Sequence, residues 1–188
     1  MLLRGNMASE LEIPPALRDA ARAHLAFHPD FPKPGINFVD VLPLFRAPAL
    51  CRDLLAATAT ALAARFPGLT FIAGLESRGF LLLPLALAMG LPFVCLRKAG
   101  KLPGAVVRHS YELEYGAATL EAAVDCVAPG AMGLVVDDLL ATGGTAAAAK
   151  ALLGALGAEV AGVFCIVELG GLGGAVKVGA PVASIFRL

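Results

Sequence analysis

Apolar residues in this chain fall into short unbroken runs set between alanine-rich stretches. "TFIAG" (70–74), "PFVCL" (92–96), "MGLVV" (132–136), "AEVAGVFCIVE" (158–168) and "VASIF" (182–186) have the length of strands. They lack the polar alternation of a half-solvated sheet, so they read as strands covered on both faces. "RGFLLLPLALAMG" (78–90) predicts a helix kinked or shortened at Pro84, and Thr142 to Leu156 predicts a second helix. Buried strands alternating with helices predict an α/β fold, a central mostly parallel sheet flanked by helices. Ligands of such sheets bind at the carboxyl ends of the strands.

Two stretches break this pattern. "FHPDFPKPGINFVDVLP" (27–43) holds four prolines and excludes one long helix or a central strand. "RKAGKLPGAVVRHSYELEYG" (97–116) is the most polar segment and is too long for a plain connection, which predicts a lid or binding loop. No linker, repeat or low-complexity tract divides the 188 residues, so a single domain spanning 1–188 is expected.

Composition narrows the function classes. Apolar residues make up 58% and the mean hydropathy is +0.78. Yet the longest uncharged apolar run, Phe80 to Leu96, contains Pro84, Gly90 and Pro92 and falls short of the roughly 20 residues of a spanning helix. Lys+Arg and Asp+Glu are both 15, a balance that argues against a nucleic-acid or membrane-surface partner. The first fifteen residues carry no apolar stretch of signal-peptide length, and Met7 offers a second possible start. Cys51, Cys95, Cys126 and Cys165 lie far apart among apolar residues, without zinc spacing, and are expected to be buried reduced thiols of a cytoplasmic protein.

The chemistry concentrates in "LVVDDLLATGGTAAAA" (134–149). The run at 132–136 delivers Asp137 and Asp138 to the carboxyl edge of the sheet. Ala141, Thr142, Gly143, Gly144 and Thr145 then open a helix, where free N–H groups, the helix dipole and two hydroxyls favour an anion. Neither a Walker A loop nor a GxGxxG fingerprint is present. Carboxylates repel phosphate, so Asp137 and Asp138 must face another part of the same ligand. A cis diol and a metal ion both suit them. The implied ligand is a sugar phosphate, with ribose 5-phosphate foremost.

"VVDDLLATGGT" resembles the phosphoribosyl pyrophosphate (PRPP) motif of the type I phosphoribosyltransferases. "FPKPGINFVD" (31–40), "IAGLESRGF" (72–80) and "RKAGKLPG…YELEYG" (97–116) resemble stretches of the adenine phosphoribosyltransferases, in the same order and at similar spacing. The resemblance runs from about Phe31 to Glu168. It implies transfer of ribose 5-phosphate from PRPP to adenine, with AMP and pyrophosphate as products, Mg²⁺ as cofactor and a homodimer as the working form. It implies a phosphoribosyltransferase-type fold with a Pro-rich N-terminal hood at about 27–43 and a mobile catalytic lid at about 97–116.

The same resemblance assigns roles. Ala141 to Thr145 hold the 5′-phosphate, and Asp137 and Asp138 hold the ribose hydroxyls and help to place Mg²⁺, mainly through PRPP. Ser77 and Arg78 belong to a pyrophosphate loop with a cis peptide at Glu76–Ser77. Arg97, Lys98 and Lys101 face the pyrophosphate, while Glu114 and Tyr115 close the far end of the lid. Glu114 manages the proton of the adenine ring, Phe38 stacks on the purine, and Asn37 offers backbone groups to its edge.

The chain departs from the family at Val39, where many members have Arg, and at Glu76, where many have Asp. No role is expected for "GGLGGAVK" (170–177) or for the alanines after Thr145. His109 is expected to be a solvated residue of the lid. Two other readings stay open at this level: a phosphoribosyltransferase for another purine, and a non-catalytic PRPP- or nucleotide-binding regulator.

Overall fold

A computed structural model describes residues 8–113 and 116–188. Its main sheet has eight strands. The parallel part, in spatial order, is β1 (Ala8–Glu10), β10 (Val182–Arg187), β9 (Glu159–Glu168), β8 (Met132–Leu140), β4 (Phe71–Leu75) and β5 (Phe93–Lys98). Two antiparallel strands complete it, with β7 (Gly116–Ala123) against β5 and β6 (Val106–Leu113) outermost. A separate antiparallel pair, β2 (Ala26–Pro29) with β3 (Asn37–Asp40), forms the hood.

The helices are α1 (Pro15–Arg22), α2 (Pro48–Arg65), α3 (Leu83–Met89), α4 (Gly144–Ala155) and α5 (Gly174–Val178). One face of the sheet packs Leu134, Val136, Phe164 and Ile166 against α2 and α3 side chains such as Leu54, Leu62 and Leu85. The other face packs Val135, Val163 and Cys165 against α4 residues Ala148, Ala149, Leu152 and Leu153. The two faces explain why the central strands read as continuous apolar runs. The alanine stretch after Thr145 is therefore partly core: Ala146, Ala148 and Ala149 let α4 lie close to the sheet.

The α/β expectation holds, and five predicted strands are present with ends shifted by a few residues. The stretch 78–90 divides at the expected point. A 3-10 turn covers Arg78–Leu82, and α3 starts at Leu83 with Pro84 in its first turn, where the missing proline N–H leaves no helical bond unmade. Gly90 ends α3 in the left-handed conformation.

The stretch 97–116 differs from a loop. Its greater part is strand, and with β7 it forms a β-hairpin joined to the sheet through β5. Alternation from Val107 to Glu112 explains this: Val107, His109 and Tyr111 are half-buried, while Arg108, Ser110 and Glu112 are exposed. His109 is thus half-buried rather than solvated. Of the four free cysteines only Cys165 is fully buried, and Cys95 is exposed because it faces away from the core on β5.

The central strands should dominate stability. Phe164 is fully buried in the middle of β9. Phe164→Ala should cost about 3–5 kcal/mol in urea unfolding, through lost burial and the cavity left behind. A change below about 1 kcal/mol would show that the core has been misread.

Candidate active site

Four segments meet along the carboxyl edge of the parallel strands. β8 carries Asp137 and Asp138 near its carboxyl end and continues through Leu139 and Leu140, so the acid pair is held by sheet pairing rather than by a loop. Asp137 Oδ1 accepts from the Asp138 backbone N–H at 2.9 Å. Gly143 then takes φ +79°, a left-handed conformation that suits glycine, and turns the chain into α4. A pocket of about 130 Å³ opens there, lined by Asp137, Ala141, Thr142, Gly143, Gly144 and Thr145 among others. The predicted phosphate loop and Asp137 therefore line one small pocket, while Asp138, next along β8, faces Arg78 outside that lining.

β4 delivers the second segment. Glu76–Ser77 is a cis peptide, as is Phe31–Pro32 in the hood. Gly79 follows where a side chain cannot fit: a Cβ there would lie 2.6 Å from the Val136 carbonyl oxygen and 3.4 Å from Asp137 Oδ1. Its absence lets the turn at 78–82 pack directly on the end of β8. Arg78 Nη1 then reaches within 3.0 Å of Asp138 Oδ2. That ion-pair distance lacks hydrogen-bond geometry, and Asp138 Oδ2 has no hydrogen-bond partner. The Arg78 guanidinium also lies 5.6 Å from the centre of the Phe38 ring. Arg78, Asp138 and Phe38, predicted separately, are thus joined in one chain of contacts, and Phe31 packs edge-on against Phe38.

The third segment starts at the end of β5. Glu76 Oε2 accepts from Arg97 Nε at 2.9 Å and from the Lys98 backbone N–H at 2.8 Å. The Arg97 hydrogen bond, followed by that of Lys98, holds the Glu76 carboxyl below its ordinary range. Arg97 also overlies the Phe80 ring at 5.8 Å. It braces the pyrophosphate loop, a role that its expected contact with pyrophosphate did not include. Lys98, the exposed last residue of β5, adjoins the loop through Glu76, and Lys101 is exposed on the turn that follows. Glu114 and Tyr115 lie outside the described residues.

The fourth segment was not expected. "GGLGG" docks on the phosphate loop by backbone contact. A Cβ at Gly174 would lie 2.2 Å from the Ala141 carbonyl oxygen, and one at Gly143 would lie 2.4 Å from the Gly174 carbonyl oxygen. Glycine is required at both positions. Tyr111 was also missed: its hydroxyl donates to Thr145 Oγ1 at 3.3 Å and ties the hairpin to the phosphate loop. The strand alternation was the signal that could have found it.

Val39 points away from this constellation. It is buried in the core, on the opposite face of β3 from Phe38, opposite Phe27 in register. The cation beside Phe38 is Arg78. Asn37 is exposed at the start of β3, next to Phe38 in the chain.

The acid pair carries an electrostatic load. Burial, then the charge of Asp138, pushes the Asp137 carboxyl up from 3.8 to about 8. Burial also raises Asp138, and the Arg78 charge opposes that rise. A buried carboxylate oxygen without a hydrogen bond, beside a second carboxylate, fits a hard dication or a pair of sugar hydroxyls. Among the described residues no cluster of three or more His, Cys, Asp or Glu side chains exists.

The chain is 49% identical to an adenine phosphoribosyltransferase from Rhodospirillum rubrum over 163 residues, covering 86% of this chain and 94% of the relative. The chain belongs to the adenine phosphoribosyltransferase family. No family model matches it. The adenine phosphoribosyltransferase of Saccharomyces cerevisiae, solved with an imino-altritol bisphosphate and adenine, superposes with a TM-score of 0.87 at 42% identity, over 90% of this chain and 98% of that one. The Trypanosoma brucei structure, solved with AMP, pyrophosphate and ribose 5-phosphate, superposes with a TM-score of 0.83 at 25% identity, over 96% of this chain and 83% of that one. These relatives are named for adenine, which favours the adenine reaction over an enzyme for another purine or a regulator.

The raised Asp137 carboxyl has a measurable sign. The folded chain retains a proton that the unfolded chain releases above its ordinary value of 3.8. The stability this proton contributes is complete below 3.8 and is lost as pH rises through about 8. Without ligand or metal, Asp137→Asn should gain on the parent in urea midpoint between about pH 5 and about pH 8. Parallel pH profiles for the two proteins would contradict the shift.

Proposed function

We propose that this protein transfers ribose 5-phosphate from PRPP to N9 of adenine, forming AMP and releasing pyrophosphate in purine salvage. The observation that carries this reading is the pocket that Asp137 shares with the helix-opening Gly/Thr loop, with Asp138 beside it on β8 and paired with Arg78. The ligands of the yeast and trypanosome relatives, a bisphosphate with adenine and AMP with pyrophosphate and ribose 5-phosphate, have the chemistry of the same substrates and products.

The N–H groups and hydroxyls from Ala141 to Thr145 hold the 5′-phosphate. Asp137 and Asp138 accept from the ribose diol. Arg78, Lys98 and Lys101 bind the pyrophosphate, with Ser77 in the same loop, and Arg97 braces that loop through Glu76. Bond breaking at C1 leaves the electron pair on pyrophosphate oxygen and an oxocarbenium-like ribose, which the cations around the leaving group stabilise. Adenine N9 then bonds to C1, and Glu114 takes up the proton that the ring gives away. Phe38 supplies the stacking face and Asn37 backbone groups for the base, while the hairpin at 97–116, with Tyr115, excludes water from the cationic centre. Asp137 and Asp138 would hold Mg²⁺, mainly through PRPP, and the ion would further neutralise the pyrophosphate charge.

The Arg78 contacts give the site an order. Arg78 lies over Phe38 while it pairs with Asp138. A ligand that engages Asp138 and draws Arg78 toward pyrophosphate clears the purine platform.

A homodimer in the cytoplasm is part of the same reading. Leu83 and Leu87 expose apolar surface from one side of α3, with Leu81 and Leu42 also exposed. An apolar groove of Phe45, Pro48, Cys51, Leu55 and Pro84 lies on α2 and α3. Such a surface suits a second copy. No described helix is long and apolar enough to cross a membrane.

An assay with PRPP, Mg²⁺ and each of adenine, hypoxanthine, guanine and orotate tests the reaction. Pyrophosphate release with adenine is the expected result. Turnover with hypoxanthine but not adenine would overturn it.

A further inference from the structure

Glu121 belongs to none of the motifs above, yet its side chain is fully buried. It sits on β7 where three strands meet, opposite Arg97 of β5 and opposite Arg108 of β6. Its carboxylate faces the turn that carries the lid lysines. Oε1 accepts from the backbone N–H of Lys101 at 2.7 Å and from that of Leu102 at 2.8 Å. Oε2 accepts from Arg108 Nε at 3.1 Å. The turn folds around this one charge as backbone amides fold around a bound anion.

A carboxylate without water must be matched by donors. The N–H of Gly100 foremost, then those of Leu102 and Lys101 and the Arg108 guanidinium, hold Glu121 down to about 2, so it stays ionised at any working pH. The arrangement has a counterpart one turn earlier, where Glu76 Oε2 accepts from the Lys98 N–H. Each of the two lysines therefore has its backbone fixed by a carboxylate from another element. Both oxygens of Glu121 are committed to backbone and arginine donors, which leaves the Lys101 ammonium available to a ligand.

From this geometry we infer that Glu121 is a positioning residue for pyrophosphate capture: it presets the Lys101 turn so that the lysine faces the leaving group without an ordering penalty. The inference rests on the reading of Lys101 as a pyrophosphate cation. Glu121 touches no substrate itself. It acts through the turn, and the part of the ligand it governs is the pyrophosphate alone. Fixing a cation in place beforehand raises affinity by removing the entropy of ordering it.

PRPP with Mg²⁺ and AMP separate this role from a general structural one, because AMP lacks the pyrophosphate. By calorimetry on the full chain, Glu121→Gln should weaken PRPP about tenfold and leave AMP within about twofold. Lys101→Ala should do the same, and combining the two should add little, since both remove one function. Unchanged PRPP affinity, equal loss of PRPP and AMP, or full additivity would overturn the inference alone. A parent protein that binds no PRPP would overturn the functional reading and this inference with it. Should Glu121→Gln fail to fold, Arg108→Gln carries the same cycle with Lys101→Ala, because Arg108 is half-exposed and its loss frees only Oε2. It should weaken PRPP about threefold, spare AMP and again be non-additive with Lys101→Ala. PRPP affinity equal to the parent in that folded variant would overturn the inference.

Discussion

Two carboxylates placed side by side at the buried end of a strand repel each other and lose hydration, and both effects favour the neutral form. The surroundings of Asp137 and Asp138 answer that constraint. Asp138 is 2% exposed and has one cation near it, Arg78. Arg78 in turn reaches across to the Phe38 ring. The charge at the end of β8 thereby ties the turn after β4 to the hood, two segments far apart along the chain.

The rest of the pocket depends on close backbone approach. Gly79 lets the turn after β4 rest on β8, and Gly143 and Gly174 bring two loops within carbonyl contact of each other. A phosphate loop offers N–H groups, so its shape is its function. Here that shape is held from below by "GGLGG" and from the side by the Tyr111 hydroxyl on Thr145. The lid is held by a comparable device, with Glu76 and Glu121 fixing the backbone beside Lys98 and Lys101.

Much of this was legible in the sequence where partners are close along the chain. The strand from Met132, the acid pair and the helix after Gly143 follow one another directly, and their order dictated the pocket. The kink at Pro84 was equally local. What remained hidden depends on contacts between distant residues. Gly174 reads as a plain loop glycine until Ala141 is placed against it. Glu121 reads as one charge in an alanine-rich strand until the turn at Lys101 closes over it. The hairpin from Val106 carried its alternation openly, but its charged and hydroxyl residues gave it the look of a loop. Val39 misled for a related reason. Its identity departs from the family, but strand alternation turns it into the core, and the cation that stands beside Phe38 comes from Arg78.

The central claim is that the acid pair and the Gly/Thr loop read two parts of one ligand, with Arg78 passing between them. A crystal structure of the complex with PRPP and Mg²⁺ tests it most directly. The account predicts the 5′-phosphate on the N–H groups from Thr142 to Thr145, the ribose hydroxyls and the ion on the side of Asp137 and Asp138, and Arg78 moved from Asp138 to the pyrophosphate. A phosphate bound elsewhere, or an Arg78–Asp138 pair that persists with PRPP in place, would contradict it.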